Sequence, residues 1–197
     1  MKVLITGATG LVGSCVARRF LEANHTVSVL FRAGADRSLL KNIEHQLDWI
    51  EGDILDVSAL DLALSGIDCV VHTAAVVSFI PKDREMMYKV NREGTANVVN
   101  ACLKHRIHKL CHVSSIAAIG KPDSKKVGVN QMVELDETNR WENSPENSEY
   151  AKSKYLAELE VWRGIEEGLN AVIVNPTVIL GEGDWTKRST QLFKYIY

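Results

Sequence analysis

Thr6-Gly7-Ala8-Thr9-Gly10-Leu11-Val12-Gly13 joins a short apolar run, residues 2–5, to an amphipathic run over residues 11–24. The first run reads as a strand and the second as a helix, so the glycines occupy a strand-to-helix turn. Glycines there let the backbone approach a pyrophosphate closely, and the first turn of the helix offers unbonded N–H groups and the positive end of its dipole. Gly7, Thr9, Gly10, Leu11, Val12 and Gly13 are therefore the candidate phosphate contacts. The spacing is Gly-x-x-Gly-x-x-Gly, whereas the usual dinucleotide fingerprint is Gly-x-Gly-x-x-Gly. A tight turn that binds nothing is the plainer alternative.

Outward from this turn the chain alternates strands and helices. Strands are expected over residues 26–31, 46–50, 69–73, 109–114 and 171–175, and helices over 57–64, 84–104 and 149–168. Nearly continuous apolar strands separated by helices imply an α/β fold: a doubly wound parallel sheet covered on both faces. Residues 121–148 are polar and hold Pro122 and Pro145, which makes them a long surface loop of the kind that often carries function.

The end of the second strand bears on the ligand. An NAD site usually places an acidic residue about 20 residues past the glycines, on the ribose 2′-hydroxyl. Phe31-Arg32 stands there, with Arg37 shortly after. A guanidinium suits a 2′-phosphate, which favours NADP, while Asp36 keeps NAD open.

Composition narrows the class. The chain has 197 residues, 46% hydrophobic and 24% charged, with a net charge of −2. That balance gives no general attraction to nucleic acid or anionic lipid. The longest apolar stretch, residues 69–80, is interrupted by His72, Thr73 and Ser78, so no membrane span is expected. The start turns glycine-rich too soon for a signal peptide. Four cysteines without close pairing read as reduced thiols, and the expected location is cytoplasmic.

Tyr150 and Lys154 lie four positions apart in a predicted helix and so share one face. A free phenol titrates near pH ~10, so proton transfer near neutrality asks for about 4 kcal/mol of help to the phenolate. A neighbouring ammonium supplies part of it. Alone, such a pair is common on exposed helices.

Taken together, the motifs resemble the extended short-chain dehydrogenase/reductases of the NAD-dependent epimerase/dehydratase superfamily, nearest to the branch around dihydroflavonol 4-reductase and 3β-hydroxysteroid dehydrogenase. The resemblance rests on Thr6-Gly7-x-x-Gly10-x-x-Gly13, Gly52-Asp53-Ile54, His72-Thr73-Ala74-Ala75, Val90-Asn91-x-x-Gly94-Thr95, Val113-Ser114-Ser115, Tyr150-x-x-x-Lys154 and Asn175-Pro176-Thr177. It implies a Rossmann fold, with Asp53 and Ile54 on the adenine, Thr73, Ala74 and Ala75 backing the cofactor, and Pro176, Thr177 and Val178 beside the nicotinamide. Asn91 would stabilise helix and strand without reacting. Ser115 would hydrogen-bond the substrate oxygen, with Ser114 as the alternative, Tyr150 would pass the proton, and Lys154 would hold the ribose and lower the phenol pKa.

The resemblance also implies that residues 1–180 form the dinucleotide-binding domain and that 181–197 open a smaller substrate-binding region, most of which lies beyond Tyr197. The chain is thus expected to be a fragment, its aromatic end from Phe193 to Tyr197 suited to packing on something absent. Ile116-Ala117 stands where sugar-nucleotide dehydratases of the family carry Asp-Glu, which argues against dehydration. The expected activity is hydride transfer to or from a small-molecule carbonyl or secondary alcohol. An NAD-dependent sugar-nucleotide epimerase and a non-enzymatic NADP-binding redox sensor are the alternatives, and a homodimer through a four-helix bundle is the expected assembly. Cys102, His105, His108, Cys111 and His112 have zinc-like spacings, but straddle a helix end and a buried strand; no metal is expected. Met86, Met87 and Val90 read as one packed helix face.

Overall fold

The computed structural model describes residues 1–121 and 135–181. Six strands, β1 (Lys2–Thr6), β2 (Thr26–Phe31), β3 (Leu47–Glu51), β4 (Cys69–His72), β5 (Lys109–Val113) and β6 (Ala171–Val174), form one sheet in the order β3-β2-β1-β4-β5-β6. Every pairing is parallel, as the apolar strands predict. The chain leaves β1 toward β2 and β3 on one side, then returns to lay β4, β5 and β6 on the other. In a doubly wound sheet such a reversal of strand order is where a ligand crevice lies, beyond the carboxyl ends of the strands.

Both faces are covered because successive strand residues point opposite ways. Leu4, Leu30, Val70 and Leu110 pack with Leu60, Val98, Cys102 and Val161 of α2 (Val57–Ala63), α4 (Gly94–Lys104) and α5 (Glu149–Glu166). Val3, Ile5, Val27, Val29 and Val71 pack with Ala17 of α1 (Leu11–Glu22) and with Leu40. Full burial of each such aliphatic side chain contributes ~1.5–3 kcal/mol, so the two cores hold the sheet rigid beneath its loops.

Three of these helices end in the same joint. Asn24 N–H bonds Leu21 C=O and His25 N–H bonds Phe20 C=O, at 2.9 and 3.0 Å, closing α1 with Asn24 at φ 59°. Arg106 and Ile107 close α4, and Gly168 and Leu169 close α5, through the corresponding bonds. This Schellman pairing satisfies the last carbonyls and turns the chain back toward the next strand. It also explains why α1 stops at Glu22, two residues before the expected end.

The single helix expected over residues 84–104 is interrupted. Its first part, α3 (Arg84–Tyr88), leads into a π-helical turn, Lys89–Glu93, before α4 begins. Thr95 Oγ1 donates to Asn91 C=O at 2.6 Å, while the Asn91 side chain is drawn away to Val76 and Ser153. Side-chain competition for a backbone carbonyl is a known source of such bulges. Met87 and Val90 are buried as expected, but Met86 is 56% exposed. Adjacent helical positions point about 100° apart, so Met86 and Met87 cannot share the packed face.

The loop read over residues 121–148 lies partly outside the described residues. Its described part, 135–148, has no helix or strand, and Trp141 stacks on Tyr155 of α5 at 4.3 Å. The segment 182–197, and with it the expected start of a substrate-binding region, lies outside the described residues. Among those described, no helix is long and apolar enough to cross a membrane. All four cysteines are thiols.

Candidate active site

The glycine turn follows β1, where the strand order reverses. Gly7 has φ +73°, and a Cβ there would lie 2.6 Å from the Ala74 nitrogen and 2.7 Å from Thr73 Oγ1. A Cβ at Gly13 would lie 2.7 Å from Ala8 Cα. Gly10 caps α1 without a side chain, so among the described residues no side-chain cap takes up the first-turn amides of Leu11, Val12 and Gly13. A cradle made of backbone donors, too tight for any Cβ, at the positive end of a helix fits a dinucleotide pyrophosphate. Thr73 Oγ1 donates to Thr6 C=O at 2.7 Å, which holds Ala74 and Ala75 against the turn.

At the end of β2, Arg32 is exposed. Arg37 lies over the Phe31 ring at 3.9 Å and the Trp49 ring at 4.6 Å, so its guanidinium is held by aromatic faces. Asp36 accepts from Ser38 N–H at 2.9 Å. After β3, Asp53 accepts from Leu55 N–H, and Ile54 is buried, its side chain filling the space left open by Gly94. Toward a ligand Ile54 therefore offers backbone, not side chain.

The remaining candidate residues lie on α5 and just past the ends of β5 and β6. Ser148 caps α5 by accepting from Ala151 N–H. Tyr150, half-buried, meets Phe79 edge-on at 5.9 Å, and Phe79 itself is 75% exposed. Lys154 is only 2% exposed and donates from Nζ to Val113 C=O at 3.0 Å. Burial depresses its pKa from 10.5 to about 8, and the Glu158 carboxylate pulls upward against that. Ser114 is buried and donates to Glu158 at 2.7 Å, whereas Ser115 Oγ, one residue on, accepts from Ala117 N–H at 3.2 Å. The turn Ile116–Ile119 packs on α5, and Ile116 N–H reaches Pro176 C=O at 3.0 Å. Thr177 and Val178 continue past it, exposed.

Behind Lys154 lie two histidines that the sequence reading left without a role. His72 and His112 are paired in register on β4 and β5, their rings 5.2 Å apart. Thr95 gives its hydroxyl proton to Asn91 C=O, so His72 Nε2 carries a proton and donates to Thr95 at 3.0 Å. His72 Nδ1 then accepts from Thr6 Oγ1 at 2.7 Å. Burial drives its pKa down to about 3. His112 is also held well below its ordinary value, by burial first and then by Lys154 and His72, and among the described residues neither of its ring nitrogens has a partner.

The remaining cysteine and histidine candidates go to separate places. Cys102 is in the core, His105 bonds Asp61 at 2.6 Å, His108 is exposed and His112 lies beside His72, the rings tilted by 32°. Glu158 escaped notice in the sequence, although its place four residues after Lys154 puts it on the same helix face.

The strand order and parallel pairing give a doubly wound, Rossmann-like α/β fold, and a family model described as NAD dependent epimerase/dehydratase matches residues 3–197. The chain belongs to the NAD-dependent epimerase/dehydratase family. It is 34% identical over 181 residues to a candidate dihydroflavonol 4-reductase of a Synechocystis species, covering 91% of this chain and 50% of that protein. The crystal structure of gox2253 superposes with a TM-score of 0.78 at 36% identity, covering 97% of this chain and 56% of the other. The Bordetella bronchiseptica enzyme WbmH in complex with NAD+ gives 0.73 at 30% identity, covering 91% and 56%. The chain spans about half the length of the curated relatives it matches. The family resemblance read from the motifs is thus borne out over nearly the whole chain.

Proposed function

We propose that the protein is an NADP-dependent oxidoreductase of the short-chain dehydrogenase type, acting on a carbonyl or secondary alcohol of a small, largely apolar molecule. The observation that carries this reading is Lys154, a buried lysine one helical turn from Tyr150 on α5. A lysine rarely accepts such burial without a chemical use. Bound nicotinamide supplies or accepts the hydride. Tyr150 gives or takes the proton at the substrate oxygen, Ser115 donates a hydrogen bond to the same oxygen, and the Lys154 ammonium favours the phenolate of Tyr150. The exposed Phe79, edge-on to Tyr150, supports an apolar substrate.

Arg32 on the surface and Asp36 engaged with Ser38 N–H support NADP over NAD. The second reading, an NAD-dependent epimerase, draws on the likeness to WbmH, which was solved with NAD+. A homodimer through paired α4 and α5 helices belongs to the same proposal.

Fluorescence titration of NADPH against NADH, with a Tyr150→Phe variant of the full-length protein, tests the reading. Turnover should fall by about 10²–10⁴ while NADPH affinity stays within about twofold. Unchanged turnover in that variant refutes the proton role, and tighter binding of NADH refutes the assignment of Arg32.

A further inference from the structure

A single carboxylate ties together three elements that carry the candidate chemistry. Glu158 Oε2 accepts from Ser114 Oγ at 2.7 Å and from Asn175 Nδ2 at 3.0 Å, and Oε1 accepts from Trp162 Nε1 at 3.4 Å. The same Asn175 amide donates to Ser115 C=O at 3.1 Å. Glu158 therefore belongs to α5 with Tyr150 and Lys154, grips the end of β5 directly before Ser115, and grips the end of β6 directly before Pro176. Ser114 is buried, so without Glu158 its hydroxyl would have to find another acceptor or remain unpaired.

We propose that Glu158 is a positioning residue, which sets the Ser115 hydroxyl and the Pro176 segment against Tyr150 and keeps an ammonium at Lys154. The proposal rests on the hydride-transfer reading given above. Displacing one catalytic group by about 1 Å can lower a rate about a hundredfold, so a carboxylate bridging three independently packed elements has a large effect on rate without touching substrate.

The second part is electrostatic. Lys154 is faced from β4 and β5 by His72 and His112, both kept neutral by burial, and along its own helix by Tyr150 and Glu158. Among the described residues, the charge that favours its ammonium is Glu158. Removing that charge lowers the pH at which Lys154 loses its proton.

The test uses Glu158→Ala and Glu158→Gln in the full-length protein. Glutamine keeps an acceptor for Ser114 and Asn175 but no charge. Four quantities are measured: turnover, NADPH affinity, the pH–rate profile and the titration midpoint of Lys154 by NMR with ¹³C-labelled lysine. Turnover of E158A should fall about tenfold to a hundredfold, with NADPH affinity within about threefold because the glycine cradle is untouched. E158Q should recover most of that loss. In both variants the Lys154 midpoint and the alkaline limb of the rate profile should move to lower pH, which lost packing alone would not do. An E158A rate within about twofold of wild type, or a Lys154 midpoint unmoved in both variants, overturns the proposal. If E158A does not fold, the midpoint in E158Q decides. A wild-type protein without reductase or dehydrogenase turnover refutes the underlying reading instead, and the Lys154 titration still judges Glu158.

Discussion

Replacing Lys154 with methionine should make the fold more stable and the site inert. Lys154 is 2% exposed, and burial lowers its pKa from 10.5 to about 8. At ~1.4 kcal/mol per pH unit, the folded protein bears roughly 3 kcal/mol for holding that ammonium at pH 7. The unfolded chain keeps the proton up to its ordinary value, and the folded chain releases it near 8. Between those values the unfolded state binds more protons, so this contribution to stability rises with pH across the window and is constant below it. Methionine keeps the unbranched stem and drops the charge. It also removes the donor to Val113 C=O at 3.0 Å, a loss of about 1 kcal/mol. The net expectation is a gain of about 2 kcal/mol at pH 7, or ~4–8 °C in Tm for a chain of this size. Urea unfolding without cofactor, at pH 7 and near pH 10, measures it. Cys69, Cys102 and Cys111, whose thiols burial pushes up, also titrate on the alkaline side, so the informative quantity is wild type minus variant at each pH. That difference should shrink toward zero at the higher pH. A variant less stable than wild type at pH 7, or a difference independent of pH, would refute the reasoning.

Two further outcomes follow from the geometry. Gly7→Ala places a Cβ 2.6 Å from the Ala74 nitrogen at φ +73°, whereas Gly34→Ala has a similar φ of +71° and nothing within 4 Å. The first should lose more than ~3 kcal/mol and all NADPH binding, the second only ~1–2 kcal/mol; equal losses in urea midpoint would show that close approach is not what Gly7 provides. His112→Phe removes two orphaned ring nitrogens and should gain ~1–3 kcal/mol at pH 7. Because the pKa values of His72 and His112 are depressed in the fold, the unfolded chain takes up protons first as pH falls below 6.5, and wild-type stability declines from there toward pH 3. Between pH 6.5 and about 5, above the range where Asp61, Asp136 and Glu149 take up protons, the variant should show about half that slope in acid unfolding curves, and a slope there equal to wild type contradicts the assignment.

The fold was legible because parallel strands buried on both faces must be nearly continuous apolar runs, and each run lies within about two residues of its strand. The glycine turn was legible for a similar reason: Gly7 and Gly13 occupy places that a Cβ would fill. What escaped was side-chain competition for the backbone. Nothing in the periodicity of residues 84–104 announces that Thr95 takes the Asn91 carbonyl and opens a π-helical turn. Nor does a sequence reveal that Arg37 will lie on Phe31 and Trp49, since those rings come from different strands. Glu158 was within reach of helical spacing, but its partners Ser114 and Asn175 become neighbours only once β5 and β6 pair.

The hydrogen-bond chain behind Lys154 has a direction. It runs from Ala74 N–H to Thr6, from Thr6 to His72, from His72 to Thr95 and from Thr95 to Asn91 C=O. Its first member is a peptide nitrogen that does not give up its proton near neutrality, and its last is a peptide oxygen that does not accept one. A conducting relay must be able to reset by reversing every link, and this one is blocked at both ends. His72, for all its nearness to Lys154, is insulation, not a path by which a proton leaves the lysine.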